Sequence, residues 1–231
     1  MISHFLCFLT GISGESVCMK PLLIFDLDGT LYQIDKAWIP AVQQTCTEFG
    51  ARAFADEVFR DRIGLRSDKM IEWYESFLPE GKLDDFLEVL RERTFERMAD
   101  AEFLYPDCQE TLQKLKEESG AMVICSNGTS PYVELVLESY QIRSLFDDVY
   151  TAGDHKYTKE ECVAEILVKY PERPAFLIGD RAQDARAAKV NGISCIGASY
   201  GYGSGEELSE ADILIDRLSD LPAALQKFNK R

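Results

Sequence analysis

No stretch of this chain approaches the roughly 18 consecutive apolar residues that a membrane-spanning helix needs, so no membrane partner is expected. Histidine is nearly absent, with two in 231 residues. The seven cysteines, at positions 7, 18, 46, 108, 125, 162 and 195, form no CxxC and no pairing with histidine at zinc spacing. The usual structural zinc sites are therefore excluded. An odd, scattered set is no disulfide framework either. The thiols are expected to be reduced, small core residues of a cytoplasmic protein, with Cys125 and Cys195 inside apolar strand-like runs. Positive charge is scarce as well: 25 Lys and Arg against 40 Asp and Glu give a formal net charge of -15. That argues against a nucleic-acid partner, because phosphate backbones attract basic surfaces. A small anionic ligand is admissible only where cations or a metal are concentrated locally.

Residues 1–18, MISHFLCFLTGISGESVC, lack the basic start and the apolar length of a signal peptide. They also fit no structural element. Met19, directly before Lys20-Pro21 and the first strand, is therefore expected as the native start. The intact mass of the protein from its source decides this, and a mass that includes residue 1 refutes it.

What is present is a globular composition, 46% hydrophobic, ample for a packed core. Leu22–Leu27, Ala121–Ser126, Ala175–Gly179 and Ile193–Gly197 read as buried strands, with Val149–Thr151 and Ile213–Ile215 as weaker ones. Their hydrophobicity is continuous rather than alternating, the mark of parallel strands covered on both faces. Helical stretches separate most of them. One is expected over 106–119, from Pro106 to just before Gly120, and the next opens at Ser130-Pro131. Thr158 with Glu161, and Ser204 with Glu207, have capping-box spacing. The expected fold is α/β, a doubly wound parallel sheet. From about 36 to 103 no convincing strand appears, only helical stretches, too long for an ordinary crossover. The expected organisation is a core of 19–35 and 104–231, an inserted all-α domain of 36–103, and an extension of 1–18.

In open α/β sheets, ligands bind beyond the carboxyl ends of the strands. The first strand delivers Asp26 and Asp28 there, the 121–126 strand delivers Ser126-Asn127-Gly128-Thr129, and the 175–179 strand delivers Asp180, with Asp184 four residues on. Singly, each segment reads as a turn or a helix cap. Jointly, that many carboxylates at one edge repel one another unless a cation is present. A hard divalent ion with oxygen ligands, Mg²⁺, resolves the conflict. Lys159 falls in the first turn of a helix, where a cation opposes the helix dipole. It fits there if an anion sits in front of it, and Lys156 competes for that role. The 126–130 loop, entering a helix, also offers amides to a phosphate.

"DLDGT" at 26–30, "SNGT" at 126–129, Lys159 and "GDRAQD" at 179–184 resemble, in order and spacing, the four motifs of the haloacid dehalogenase superfamily. The resemblance spans 22 to about 218, and the insertion is similar to that superfamily's helical cap. It implies a Rossmann-like core and an enzyme that hydrolyses a small phosphomonoester with Mg²⁺. Asp26 would be the nucleophile, forming an aspartyl-phosphate, and Asp28 the acid and base. Asp26, the Asp28 backbone carbonyl and Asp180 would bind the metal, supported by Asp184 and Thr30. Ser126, Asn127 and Lys159 would hold the phosphoryl oxygens. Asp28 points to phosphate-ester chemistry, because dehalogenating and phosphonate-cleaving members lack an aspartate there. Arg62, Gly64, Arg66 and Lys69, in "RDRIGLRSDKM", resemble the cap's substrate-specificity loop. A phosphoglycolate-like substrate is one expectation, although "LYQIDKAW" departs from the follow-on to the first motif in many such members. A phosphohexose mutase and a catalytically quiet regulator of the same fold are the alternatives. "SYGYGSGEEL", at 199–208, is expected to be a flexible connection with little site contact.

Overall fold

The computed structural model describes residues 20–99, 102–154, 157–171 and 174–228. Residues 1–19 and Lys156 lie outside the described residues. Six strands, β1 (Leu22–Phe25), β2 (Ala121–Ser126), β3 (Asp148–Thr151), β4 (Ala175–Gly179), β5 (Ser194–Ala198) and β6 (Ile213–Ile215), form one sheet in the order β3-β2-β1-β4-β5-β6. Every neighbouring pair is parallel. Side chains on successive residues point to opposite faces, so the apolar runs feed two cores. Leu23, Phe25, Met122, Ile124, Phe176 and Ile178 pack on one side. Leu22, Ile24, Val123, Cys125, Leu177 and Cys195 pack on the other. This is the doubly wound α/β fold that continuous hydrophobicity implies.

The helices are α1 (Asp35–Glu48), α2 (Asp56–Arg60), α3 (Ser67–Glu75), α4 (Leu83–Ala99), α5 (Cys108–Glu118), α6 (Ser130–Ser139), α7 (Lys159–Lys169), α8 (Ala182–Val190) and α9 (Leu221–Phe228). Three of the departures from the sequence expectation have a local cause. β1 ends at Phe25 because the Leu27 carbonyl accepts the amides of Thr30, Leu31 and Tyr32, which curls the chain. α5 starts at Cys108, not Pro106, because Asp107 takes a left-handed conformation with φ of 62° that interrupts a right-handed helix. Ser204 Oγ does accept the Glu207 amide, at 3.2 Å, but it opens only a single 3₁₀ turn, Glu207–Glu210.

Helices α1 to α4 all fall between β1 and β2, with no strand among the described residues of that interval. The chain enters and leaves this region through a paired stem, where Gln33 N–H donates to Phe103 O at 2.8 Å and Tyr105 N–H to Leu31 O at 3.0 Å. Phe54, Phe59, Trp73, Tyr74, Phe77 and Phe86 build an aromatic cluster inside it. The five described cysteines are free and buried, as small core residues should be. No helix among the described residues is long and apolar enough to cross a membrane.

Candidate active site

The sheet register fixes the site. Phe25 lies beside Ile124 on one neighbour and Ile178 on the other, so the residues after each come level at one edge. Asp26 stays tied there by its amide, which donates to Ile178 O at 2.9 Å. The chain then turns at Gly29, φ 84°, where a Cβ would lie 2.2 Å from Asp180 Oδ2. Only glycine combines that backbone with so close an approach.

Asp26, Asp180 and Asp184 are all buried, and each offers a ligand oxygen within 4.8 Å of the others. Lys159 is buried with them and places Nζ 2.5 Å from Asp26 Oδ1 and 2.5 Å from Asp184 Oδ1. Its position follows from the helix start: Thr158 and Glu161 form the complete capping box and fix the first turn of α7. Burial disfavours the ammonium, but Asp184 and Asp26 outweigh that and hold the Lys159 pKa above the usual lysine value. The anion that the dipole argument requires is thus at least this carboxylate pair.

One lysine does not neutralise the cluster. Burial, opposed by Lys159 and reinforced by Asp184, pushes Asp26 up to about 6. Burial together with Asp26 and Asp184 raises Asp180 as well. Asp180 Oδ2 accepts the Tyr202 amide at 2.7 Å, while its buried Oδ1 has no hydrogen-bond partner. A buried carboxylate oxygen without a donor is costly, and three all-oxygen ligands suit a hard divalent cation. The residues present therefore fit a metal.

Asp28 stands apart from that cluster. Its side chain accepts a hydrogen bond from the Tyr132 hydroxyl and lines a cavity between the sheet edge and α1–α4. Burial pushes its pKa up to about 7, with the Tyr132 bond pulling it down and Asp26 pushing it up. Ser126 and Asn127 line the same space. Ser126 Oγ accepts the Gly128 amide at 3.0 Å. The Ser130 amide, further along this loop, is already taken by Asp154, so the start of α6 offers fewer free donors than the loop suggests. Thr30 is buried, its Oγ1 without a partner and its carbonyl accepting from the Tyr200 hydroxyl at 2.9 Å.

The four basic-loop residues separate. Gly64 lines the cavity, and its carbonyl accepts from Asn127 Nδ2 at 2.9 Å and from Gln183 Nε2 at 2.7 Å. Arg62 lines the cavity too, donating to Val58 O at 2.6 Å and lying 4.4 Å over Trp73. Arg66 is bonded to Asp68 and Lys69 to Glu72, and neither lines it. The segment 199–208 is the main correction. Tyr202 donates its amide to Asp180 and its hydroxyl to Asp35 Oδ1 at 2.8 Å. A Cβ on Gly203 would lie 1.9 Å from the Asp180 carbonyl. The only advance signal was the density of glycines, which permits a close backbone approach as readily as it permits flexibility.

Parallel order, carboxylates at the strand ends and a buried lysine define a class, and comparison with known proteins agrees. The chain belongs to the haloacid dehalogenase-like hydrolases, whose family model matches residues 23–198. Phosphoglycolate phosphatase of Vibrio parahaemolyticus is 29% identical over 213 residues, covering 87% of this chain and 93% of that protein. The Salmonella choleraesuis enzyme of the same name is 28% identical over 229 residues, covering 87% and 90%. Among solved structures, a predicted phosphoglycolate phosphatase from Haemophilus somnus has a TM-score of 0.80 at 21% identity, covering 90% of this chain and 98% of its own. CbbY from Rhodobacter sphaeroides, solved with phosphate, has a TM-score of 0.75 at 24% identity, covering 88% and 96%; these two establish the shared fold. The chain is accordingly a phosphoric monoester hydrolase of this family.

Proposed function

We propose that the protein is a Mg²⁺-dependent phosphatase for a small phosphomonoester, working through an aspartyl-phosphate on Asp26. The observation that carries the reading is the placement of Asp26: buried, held by Lys159 at 2.5 Å, and lining the same cavity as Asp28. The phosphoglycolate phosphatases among its relatives, and the phosphate bound by CbbY, support a small phosphorylated substrate. Phosphoglycolate itself is the reference compound.

An oxygen of Asp26 attacks phosphorus while the ester oxygen leaves with the proton of Asp28. Water then attacks the same phosphorus, Asp28 takes its proton, and the bond to Asp26 breaks to release inorganic phosphate. A pKa of about 7 suits both halves, because Asp28 is readily protonated for the first step and deprotonated for the second. The Lys159 ammonium has three donors. Two meet Asp26 and Asp184, leaving one to join Ser126 and the Asn127 amide on the phosphoryl oxygens. Asp26, Asp180 and the Asp28 carbonyl, with Asp184 adjoining, would hold Mg²⁺, and the ion supplies the charge that lets an anionic nucleophile meet an anionic phosphate. Residues 36–103 act as the cap that shelters the reaction from water, and 19–35 with 104–231 as the core. The free, buried thiols support a cytoplasmic enzyme.

Release of phosphate from 4-nitrophenyl phosphate tests this. It should require Mg²⁺ and fall on the order of a thousandfold or more in Asp26→Asn, as for loss of a covalent nucleophile. Undiminished turnover by that variant defeats the mechanism.

A further inference from the structure

The cavity over Asp28 has unlike walls. Its floor is the polar sheet edge. Its roof, from the inserted helices, is mostly hydrocarbon: Trp38 of α1, Met70 and Tyr74 of α3, Leu87, Leu90 and Phe95 of α4, with Arg91 and Thr94 of α4 as its polar members. Two adjoining lobes of about 280 and about 290 Å³ share Asp28, Met70, Tyr74 and Leu87. Leu65 and Ile71 are 39% and 37% exposed, and both line the lobe that holds Asp26. Exposed apolar side chains converging on a concave site mark ligand contact.

The cations are as telling. The lobe that holds Asp26 has no Arg or Lys in its described lining. The other has Arg62, whose guanidinium is committed to Val58 O and the Trp73 face, and Arg91, exposed on α4. A hydroxy-acid leaving group such as glycolate carries a carboxylate within two bonds of the ester oxygen. Placing that charge against Met70, Tyr74 and Leu87 strips its water without supplying a counter-charge.

Resting on the phosphatase reading, we infer that the alcohol released is apolar: the substrate is an alkyl or aryl-alkyl phosphate whose carbon skeleton lies between Trp38, Met70, Tyr74 and Leu87. Specificity then comes from hydrocarbon contact, with Arg91 at the rim available to an acceptor on the far end of a longer substrate.

The test compares kcat/KM of the full chain with Mg²⁺ for 2-phenylethyl phosphate, hexyl phosphate and phosphoglycolate. All three are esters of primary alcohols, so the ratios report the chamber and not a good leaving group. The apolar esters should exceed phosphoglycolate by roughly tenfold or more, the scale of hydrocarbon discrimination. Met70→Lys, at a half-buried position, should move the ratio toward phosphoglycolate, and Leu87→Ala should raise KM for the apolar esters. Binding without turnover gives a second readout: 2-phenylethyl phosphate should perturb tryptophan fluorescence in Asp26→Asn, and phosphoglycolate at equal concentration should not. Equal or reversed selectivity overturns the apolar-substrate inference while leaving the phosphatase intact. No phosphate from any ester, 4-nitrophenyl phosphate included, overturns both.

Discussion

At the scale of single residues, the site depends on giving two aspartates two residues apart different surroundings. Asp26 sits against Lys159, while Asp28 accepts one phenolic hydrogen bond; both contacts lower a carboxyl pKa, but burial outweighs them and the values rise to about 6 and about 7. Different surroundings of this kind fit different roles: the carboxylate beside the ammonium suits the nucleophile, and the one held by a phenol suits the acid. Asp28→Asn should therefore lower kcat for an alkyl phosphate by about 10²–10⁴-fold. Formation of the aspartyl-phosphate from 4-nitrophenyl phosphate should suffer far less, because nitrophenolate leaves without a proton. A burst of nitrophenol before slow turnover is the expected trace. An equal loss of that burst would show that Asp28 does not act as the acid. The Asp26 and Asp28 pair was legible from the sequence because strand end and spacing are local. Tyr132 was not, since its partner lies 104 residues away and a tyrosine on an amphipathic helix reads as core.

At the scale of elements, the helical insertion is fastened to the sheet edge by backbone carbonyls of its 61–64 turn. Gly64 O accepts from Asn127 and Gln183, and Asp61 O accepts from Arg181 Nη2 at 3.1 Å. Arg181 also donates to Tyr202 O at 3.2 Å, joining the 199–208 segment to the same contact. Gln183 and Arg181 flank the start of α8, whose geometry Asp184 sets by accepting the Arg181 amide at 3.0 Å. Each such bond contributes about 0.5–1.5 kcal/mol net. The double variant Arg181→Ala, Gln183→Ala should then weaken closure by about 1–3 kcal/mol, seen as faster hydrogen exchange of the 61–66 amides and a kcat/KM loss of about fivefold or more. Unchanged exchange would show that these bonds do not hold the turn. Sequence periodicity established that the insertion is helical, but carbonyl acceptors have no sequence signature, so these fastenings could not be read from it.

At the scale of the whole molecule, an acidic chain concentrates three buried carboxylates around one lysine. Asp26 is raised from 3.8 to about 6, and Asp180 is raised as well. For a carboxylate with a raised folded pKa, the folded state holds its proton more tightly than the unfolded chain. The resulting stability is fully present below about 4 and lost as pH rises through about 6. Without metal, the melting temperature should therefore fall between about pH 5 and about pH 7.5. Mg²⁺ should restore it chiefly at the higher pH, since binding needs the carboxylates ionised. Asp180→Asn should flatten both effects, measured by thermal unfolding with and without Mg²⁺. The same Mg²⁺ increment at both pH values would place the ion elsewhere.

The sequence by itself determined the parallel α/β sheet, the helical insertion and the order in which Asp26, Ser126, Lys159 and Asp180 arrive at one edge. These rest on apolar runs and helix-end signals that act within a few residues. The tertiary structure alone decided what meets across that edge. Tyr202 and Gly203 close on Asp180, Tyr132 meets Asp28, and Arg66 and Lys69 turn to their own helix neighbours. It also decided that the chamber above Asp28 is roofed mostly with hydrocarbon. Contacts between distant segments depend on packing geometry that local pattern does not encode, and substrate choice is made of such contacts.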